Sequence, residues 1–202
     1  FMAAIPLIDP TEADIAMFSS YDFLFNLNHL VSMAIFGILG AVMGTRFVIE
    51  EYSGAKAVLL FSYPISRKKM MGAKLWLVFC YPIAAMLLCG IVIGGVFFFS
   101  ESLFPLCVDH LTWETIGWAF LSLLCHSLLA GAVALLSIWI GFLKKSIPVT
   151  IVTAVITATI LCQVLSAAFS FRPVLFIVLG VAEILTMVAV RSMFYQVENM
   201  EV

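Results

Sequence analysis

An all-α polytopic membrane protein is the fold class this sequence predicts, on three observations. Hydrophobic residues make up 64% of the 202-residue chain and charged residues 11%, against roughly 45–50% and about 25% in soluble domains. The apolar residues come in continuous runs rather than in alternation, which selects helices over a membrane barrel. Lys and Arg gather in a few short connectors, as they do on the inner side of multi-spanning proteins. Residues 1–202 read as a single transmembrane domain.

The elements follow from the charge-free intervals. The opening "FMAAIPLI" has no basic leader, and eight apolar residues reach only about 12 Å as a helix. It is expected to be the outer end of a preceding span. Five complete transmembrane helices are then predicted, within the intervals 22–46, 74–101, 114–144, 145–172 and 172–191, the last interrupted only by Glu183. Each suffices to cross roughly 30 Å of hydrocarbon at 1.5 Å per residue, the last one narrowly. With the preceding span the architecture is a six-helix one.

Placing the connector at about 47–74 inside puts Arg46, Lys56, Arg67, Lys68, Lys69, Lys74, Lys144, Lys145 and Arg191 inside. Arg172 alone falls outside, with Asp9, Glu12, Asp14, Asp22, Glu101, Asp109 and Glu114. Trp76 and Trp139 then sit at the inner boundary, and Trp113 and Trp118 at the outer one, as interfacial anchors do. The C-terminus is expected in the cytoplasm. A net charge of −2 argues against a nucleic-acid partner.

"EEYSGAKAVLLFSYPISRKKMMGAK", residues 50–74, is where charges crowd together. It reads as two helical pieces broken at Pro64. The first is amphipathic, with Tyr52, Ala55 and Leu59 on one face and Glu50 and Glu51 in its first turn. Ser66 is placed to cap the second. Arg67, Lys68 and Lys69 fall in that helix's first turn, where the macrodipole disfavours cations by a few tenths of a kcal/mol. Their use is therefore external: headgroups, at about 1 kcal/mol each, or a protein. Arg46, Lys68, Lys69 and Lys74 are expected as basic anchors at the membrane interface.

This connector resembles that of bacterial ABC transporter type-2 permeases, in which an acidic residue, a Gly, an apolar stretch and a Pro-x-Ser-Arg unit precede a Lys-bearing span. The matching positions are Glu50 or Glu51, Gly54, Leu59, Leu60, Pro64, Ser66, Arg67 and Lys74. The resemblance implies a coupling helix seated on a separate ATPase subunit, with Lys144, Lys145 and Pro148 as a lesser contact. It implies two permease chains, as a homodimer, on two ATPase chains in the bacterial cytoplasmic membrane. ATP and Mg would be held by the partner. The chain has no Gly-Lys dipeptide, hence no phosphate-cradling loop of its own, and it is not expected to be an enzyme. A short exterior between the last two spans suits export of a peptide, drug or lipid-like amphipathic cargo. Within the family the chain resembles permeases that expel toxin or antimicrobial peptides.

Inside the spans, Glu183 either lines the cargo path or dimer interface, or is a protonated carboxyl bonded to a neighbouring helix. Gln163 and His126 are the other strong polar groups, read as helix–helix partners ahead of ligands. His29 and His110 are placed at the outer boundary without metal-ligand spacing. Cys80, Cys89, Cys125 and Cys162 are apolar fillers, and no metal site is expected. Gly40-x-x-x-Gly44, Gly90-x-x-x-Gly94, Ser127-x-x-x-Gly131 and Ser137-x-x-x-Gly141 mark close helix approaches.

Two other functions rank below the permease. One is an ATP-independent carrier or an immunity protein, disfavoured by the single intramembrane acid and the lack of Gly/Pro-broken helices near the midplane. The other is an intramembrane protease, suggested by Glu50-Glu51. No later span supplies the His motifs it needs.

Overall fold

The computed structural model describes residues 20–52, 66–103, 112–169 and 171–199. Five helices in it are long and apolar enough to span a bilayer. α1, Tyr21–Gly44, runs on without a break into a π-helical turn, Thr45–Ile49. α2 is Arg67–Leu103 and α3 is Trp113–Lys144. α4, Ile147–Ser166, ends in a 3-10 turn, Ala167–Phe169, and α5 is Pro173–Glu198. No strand occurs among the described residues.

The helices run past the charges that bound the apolar intervals. α2 starts at Arg67, as the Ser66 cap predicts, and α5 passes Arg191 to reach Glu198. Charges bound the hydrocarbon core but do not stop a helix, because Lys, Arg and Glu are good helix formers. Backbone chemistry sets the ends instead. Ser66 offers its carbonyl to Met70 N–H at 3.2 Å, and Thr112 and Ser146 hold extended N-cap conformations. Pro148 and Pro173 stand in first turns, where no N–H is needed.

The α3–α4 turn is the tightest of these junctions. Ser146 N–H reaches back to the Gly141 carbonyl at 3.1 Å and Lys145 N–H to Phe142 at 3.2 Å. That reversal needs a left-handed residue. Lys145 fills it with φ 49°, the one non-Gly residue at positive φ among the described residues.

α3 is the hub. In the most apolar part of α3, 72% of residues are buried, against 44% in α1, 22% in α4 and α5, and 11% in α2. Its sequence explains this: Ser127, Ala130, Gly131, Ala132, Ala134, Ser137 and Gly141 are all buried. Lipid gives apolar helices no hydrophobic reason to associate, so small residues that permit close packing decide the contacts.

A Cβ built on Gly131 would meet the Phe79 ring of α2 at 2.8 Å, and one on Gly141 would fall 1.7 Å from Thr150 Oγ1 of α4. Gly40 and Gly44 of α1 likewise press on Ala134 and Ile138 of α3. The expected close approaches therefore form, with one exception. Gly90 abuts Leu123, whereas Gly94 faces open space.

Pro82 lies inside α2 and packs on Gly40. A proline was not expected to interrupt a span here. It removes one backbone hydrogen bond, yet α2 continues through it to Leu103.

Packing divides into three levels. The level at the connector end, the one expected to face inward, joins Val48, Tyr52, Met71, Leu75, Ile138, Phe142, Met193 and Val197. Met33, Met86, Leu129, Leu165 and Leu175 belong to the middle one, and Tyr21, Leu24, Phe25 and Phe97 form the outer one.

Candidate functional site

The inner end of the bundle gathers the roots of the connector. Gly54, Lys56, Leu59, Leu60 and Pro64 lie outside the described residues, but the segments entering and leaving that stretch are held together. Glu50 closes the π-helical turn, its N–H bonded to the Thr45 carbonyl at 3.0 Å. A helical piece from Glu50 to about Phe61 was expected from the sequence. Of it only Glu50 to Tyr52 is described, as a turn that follows the π-helical turn.

Glu51 and Lys74 form an ion pair across the connector, with side chains 38% and 16% exposed. The Lys74 ammonium also lies 4.9 Å from the centre of the Tyr52 ring, a cation–π contact. Tyr52 is buried and meets Phe142 of α3 edge-on at 6.0 Å. Burial, with the Glu51 carboxylate beside it, pushes the Tyr52 phenol up to about 12.

Lys74 was expected among the membrane anchors, and its charge is engaged by Glu51 and Tyr52. Lys68 extends the same face by pairing with Glu198 of α5 at 2.5 Å. Arg46, Arg67, Lys69, Lys144, Lys145 and Arg191 all belong to the same ends of their helices. At the opposite end Arg172 pairs with Asp22 at 2.6 Å and stacks over Trp118 at 4.7 Å.

The three polar residues expected inside the spans sit on three different surfaces. Gln163 is exposed on α4. His126 is buried between α1 and α3, in a network the sequence did not reveal. There His126 Nδ1 donates to the Ser122 carbonyl at 2.8 Å. Ser122 Oγ donates to Asn26 Oδ1 at 2.7 Å, and Asn26 Nδ2 donates to the Asp22 carbonyl at 2.8 Å.

His29 Nδ1 lies 3.4 Å from Ser122 Oγ. Because that hydroxyl proton is already committed, the His29 nitrogen is the donor. The chain of donors thus runs one way and pins α1 to α3. Asn26 with His29, and Ser122 with His126, each share a helical face at three- or four-residue spacing, a signal that could have found them. Among the described residues no group of three His, Cys, Asp or Glu side chains converges on a metal position.

Glu183 lines a groove of about 590 Å³ where α2 and α5 diverge over α3, within the 300–1,000 Å³ typical of ligand sites. Trp76 and Phe79 come from α2, Leu135 from α3, and Met187, Arg191 and Phe194 from α5. Glu183 Oε1 is buried there with no hydrogen-bond partner among the described residues. Leaving such an atom unpaired costs about 1–3 kcal/mol or more. A second cavity of about 240 Å³ lies in the outer half, beside His29, Gly94 and Phe98.

A family model described as "ABC-2 family transporter protein" matches residues 1–161. The uncharacterised protein YcbO of Bacillus subtilis (strain 168) is 30% identical over 182 residues, covering 90% of this chain and 79% of YcbO. No solved structure matches the chain. With five membrane-crossing helices and a match over most of its length, this multi-pass membrane protein belongs to the ABC-2 family, as the permease subunit of an ABC transporter that associates with an ABC ATPase.

Proposed function

We propose that the chain couples ATP hydrolysis on that partner to export of an amphipathic cargo across the bacterial cytoplasmic membrane. ATP and Mg belong to the partner, and the C-terminus lies in the cytoplasm. Two permease chains, as a homodimer, stand on two ATPase chains. The connector at about 47–74 is the coupling contact, through Glu50, Glu51, Gly54, Leu59, Leu60, Pro64 and Arg67, with Lys144 and Lys145 beside it.

The observation that carries this reading is the clamp at the connector's roots. Glu51, Tyr52 and Lys74 bind the end of α1 to the start of α2, and Tyr52 rests on Phe142 at the end of α3. A push on the connector is therefore delivered to three helices as one body. Side-chain packing resists continuous deformation, so such a push is passed on as rigid-body motion.

The test is co-expression with an ABC ATPase and measurement of ATP turnover in nanodiscs. Leu59→Asp with Leu60→Asp is expected to abolish association while the chain stays folded. Lys144→Glu with Lys145→Glu is expected to weaken turnover several-fold without abolishing association. A chain that moves cargo unchanged with no ATPase present would overturn the reading in favour of an ATP-independent carrier.

A further inference from the structure

We infer that the α2–α5 groove is a binding site for a lipophilic amine, whose nitrogen donates to Glu183. This deepens the permease reading, on which it rests, by naming the class of molecule the chain takes up.

The groove is built mainly from apolar and aromatic side chains, and its polar groups are few. Glu183 supplies the one described acid within the span, with Oε1 buried and unpartnered. A neutral hydrocarbon gives the Glu183 carboxyl no partner, whereas an N–H donor in the groove pairs with the carboxyl that lines it, and a cationic donor does so more strongly. Trp76, Phe79 and Phe194 also line the groove, and aromatic rings suit a cation as well as an apolar body.

Arg191 stands on the same wall about 12 Å nearer the inner end, eight residues along the helix. It has no ion-pair partner among the described residues. Its charge disfavours an amine that stops at the mouth and favours an acceptor group there. Charge complementarity thus orders the occupant: amine deep, carbonyl or similar acceptor outward, apolar body between.

The pattern of exposure accounts for access. Trp76, Ile184, Met187 and Val188 are each more than half exposed on this single chain. An amphipath already dissolved in the inner half of the bilayer can therefore enter sideways, without crossing a packed helix contact.

The experiment uses the full chain in phosphatidylcholine nanodiscs with rhodamine 6G, an aromatic cation bearing an ester, followed by fluorescence anisotropy. Saturable binding is expected, weakened at least about tenfold in Glu183→Gln, which keeps the shape and removes the charge. Met187→Trp, which fills the groove and leaves the carboxyl intact, is expected to weaken it comparably. Equal affinity in the wild type and Glu183→Gln would overturn the assignment, as would an absence of saturable binding.

Two other occupants would also overturn it. A co-purified phospholipid that native mass spectrometry finds lost in Arg191→Gln but kept in Glu183→Gln would make the groove a lipid site. Disulfide-linked dimers of Met187→Cys formed at high yield in the membrane would make it an interface between copies. Binding is read without any ATPase. Failed binding with intact ATPase stimulation sinks only this inference, whereas intact binding with no ATPase association sinks the permease reading.

Discussion

Separating Glu51 from Lys74 tests whether the connector is anchored. A fully exposed ion pair is worth about 0–1 kcal/mol, and a hydrogen bond to a charged group about 1.5–3 kcal/mol. Lys74 is 16% exposed and Glu51 38%, which places the pair between these limits, at about 1–2 kcal/mol. Lys74 also supplies the Tyr52 contact, worth about 0.5–1 kcal/mol at a partly exposed site.

Glu51→Gln is therefore expected to cost about 1–2 kcal/mol and Lys74→Gln about 2–3 kcal/mol, since the latter also strands a carboxylate. The double variant should cost less than the sum, with a coupling of about 1–2 kcal/mol. Reversible unfolding in mixed micelles reads all four species. The same set measured for ATPase stimulation shows whether the clamp transmits force. A coupling below about 0.5 kcal/mol would refute the reasoning, because the roots of the connector would then be held by apolar packing alone.

Other outcomes follow from the inner end of the bundle. Lys145→Gly removes a left-handed β-carbon that costs about 1–2 kcal/mol, so thermal denaturation should show equal or higher stability, while ATPase stimulation should fall if the charge is used. Gly141→Ala puts a methyl group against the buried Thr150 in the first turn of α4, and overpacking of this kind costs about 1–3 kcal/mol, visible as a lowered unfolding midpoint. Tyr52 holds its proton to about 12 in the folded chain against roughly 10 when unfolded. Its contribution is complete below pH 10 and is lost as pH rises from there through 12. Tyr52→Phe should flatten that alkaline loss in a pH series of unfolding midpoints.

The spans were legible because hydropathy needs no tertiary information. An apolar run long enough to cross a bilayer satisfies its own backbone only as a helix. The end of α5 was less legible, since Arg191 and Glu198 continue a helix as readily as they interrupt an apolar run. Gly40, Gly131 and Gly141 were found through small-residue spacing, but the same spacing at Gly94 leads to open space. Spacing records which residues share a face, not what the face meets.

The polar sites show the same boundary. Glu183 stood out because one acid in a span is costly wherever it points. Its groove could not be foreseen, because it forms where two helices 110 residues apart in sequence fail to close, as Trp76 and Thr186 show. The Asn26, His29, Ser122 and His126 network likewise joins residues nearly a hundred positions apart. Glu51 and Lys74 carried opposite charges in plain view, yet only the fold brings them within reach.

The distribution of forces across the bundle says where it can move. Its interhelical ion pairs among the described residues, Arg172–Asp22, Lys74–Glu51 and Lys68–Glu198, all lie at the ends of helices. Between those ends α1 and α4 are held against α3 by glycine contacts that leave little room for a β-carbon. α2 and α5 meet through Met71 and Met193 and through Lys68 and Glu198 at the inner end, then part around Glu183. Dispersion falls away quickly with separation, so this contact opens or shuts more easily than any contact to α3. A lever acting on the start of α2 through Lys74 would change the width of the groove before it disturbed the hub. The site that holds an unpaired carboxyl and a joint that yields before the hub are thus one place, next to the segment that receives the push.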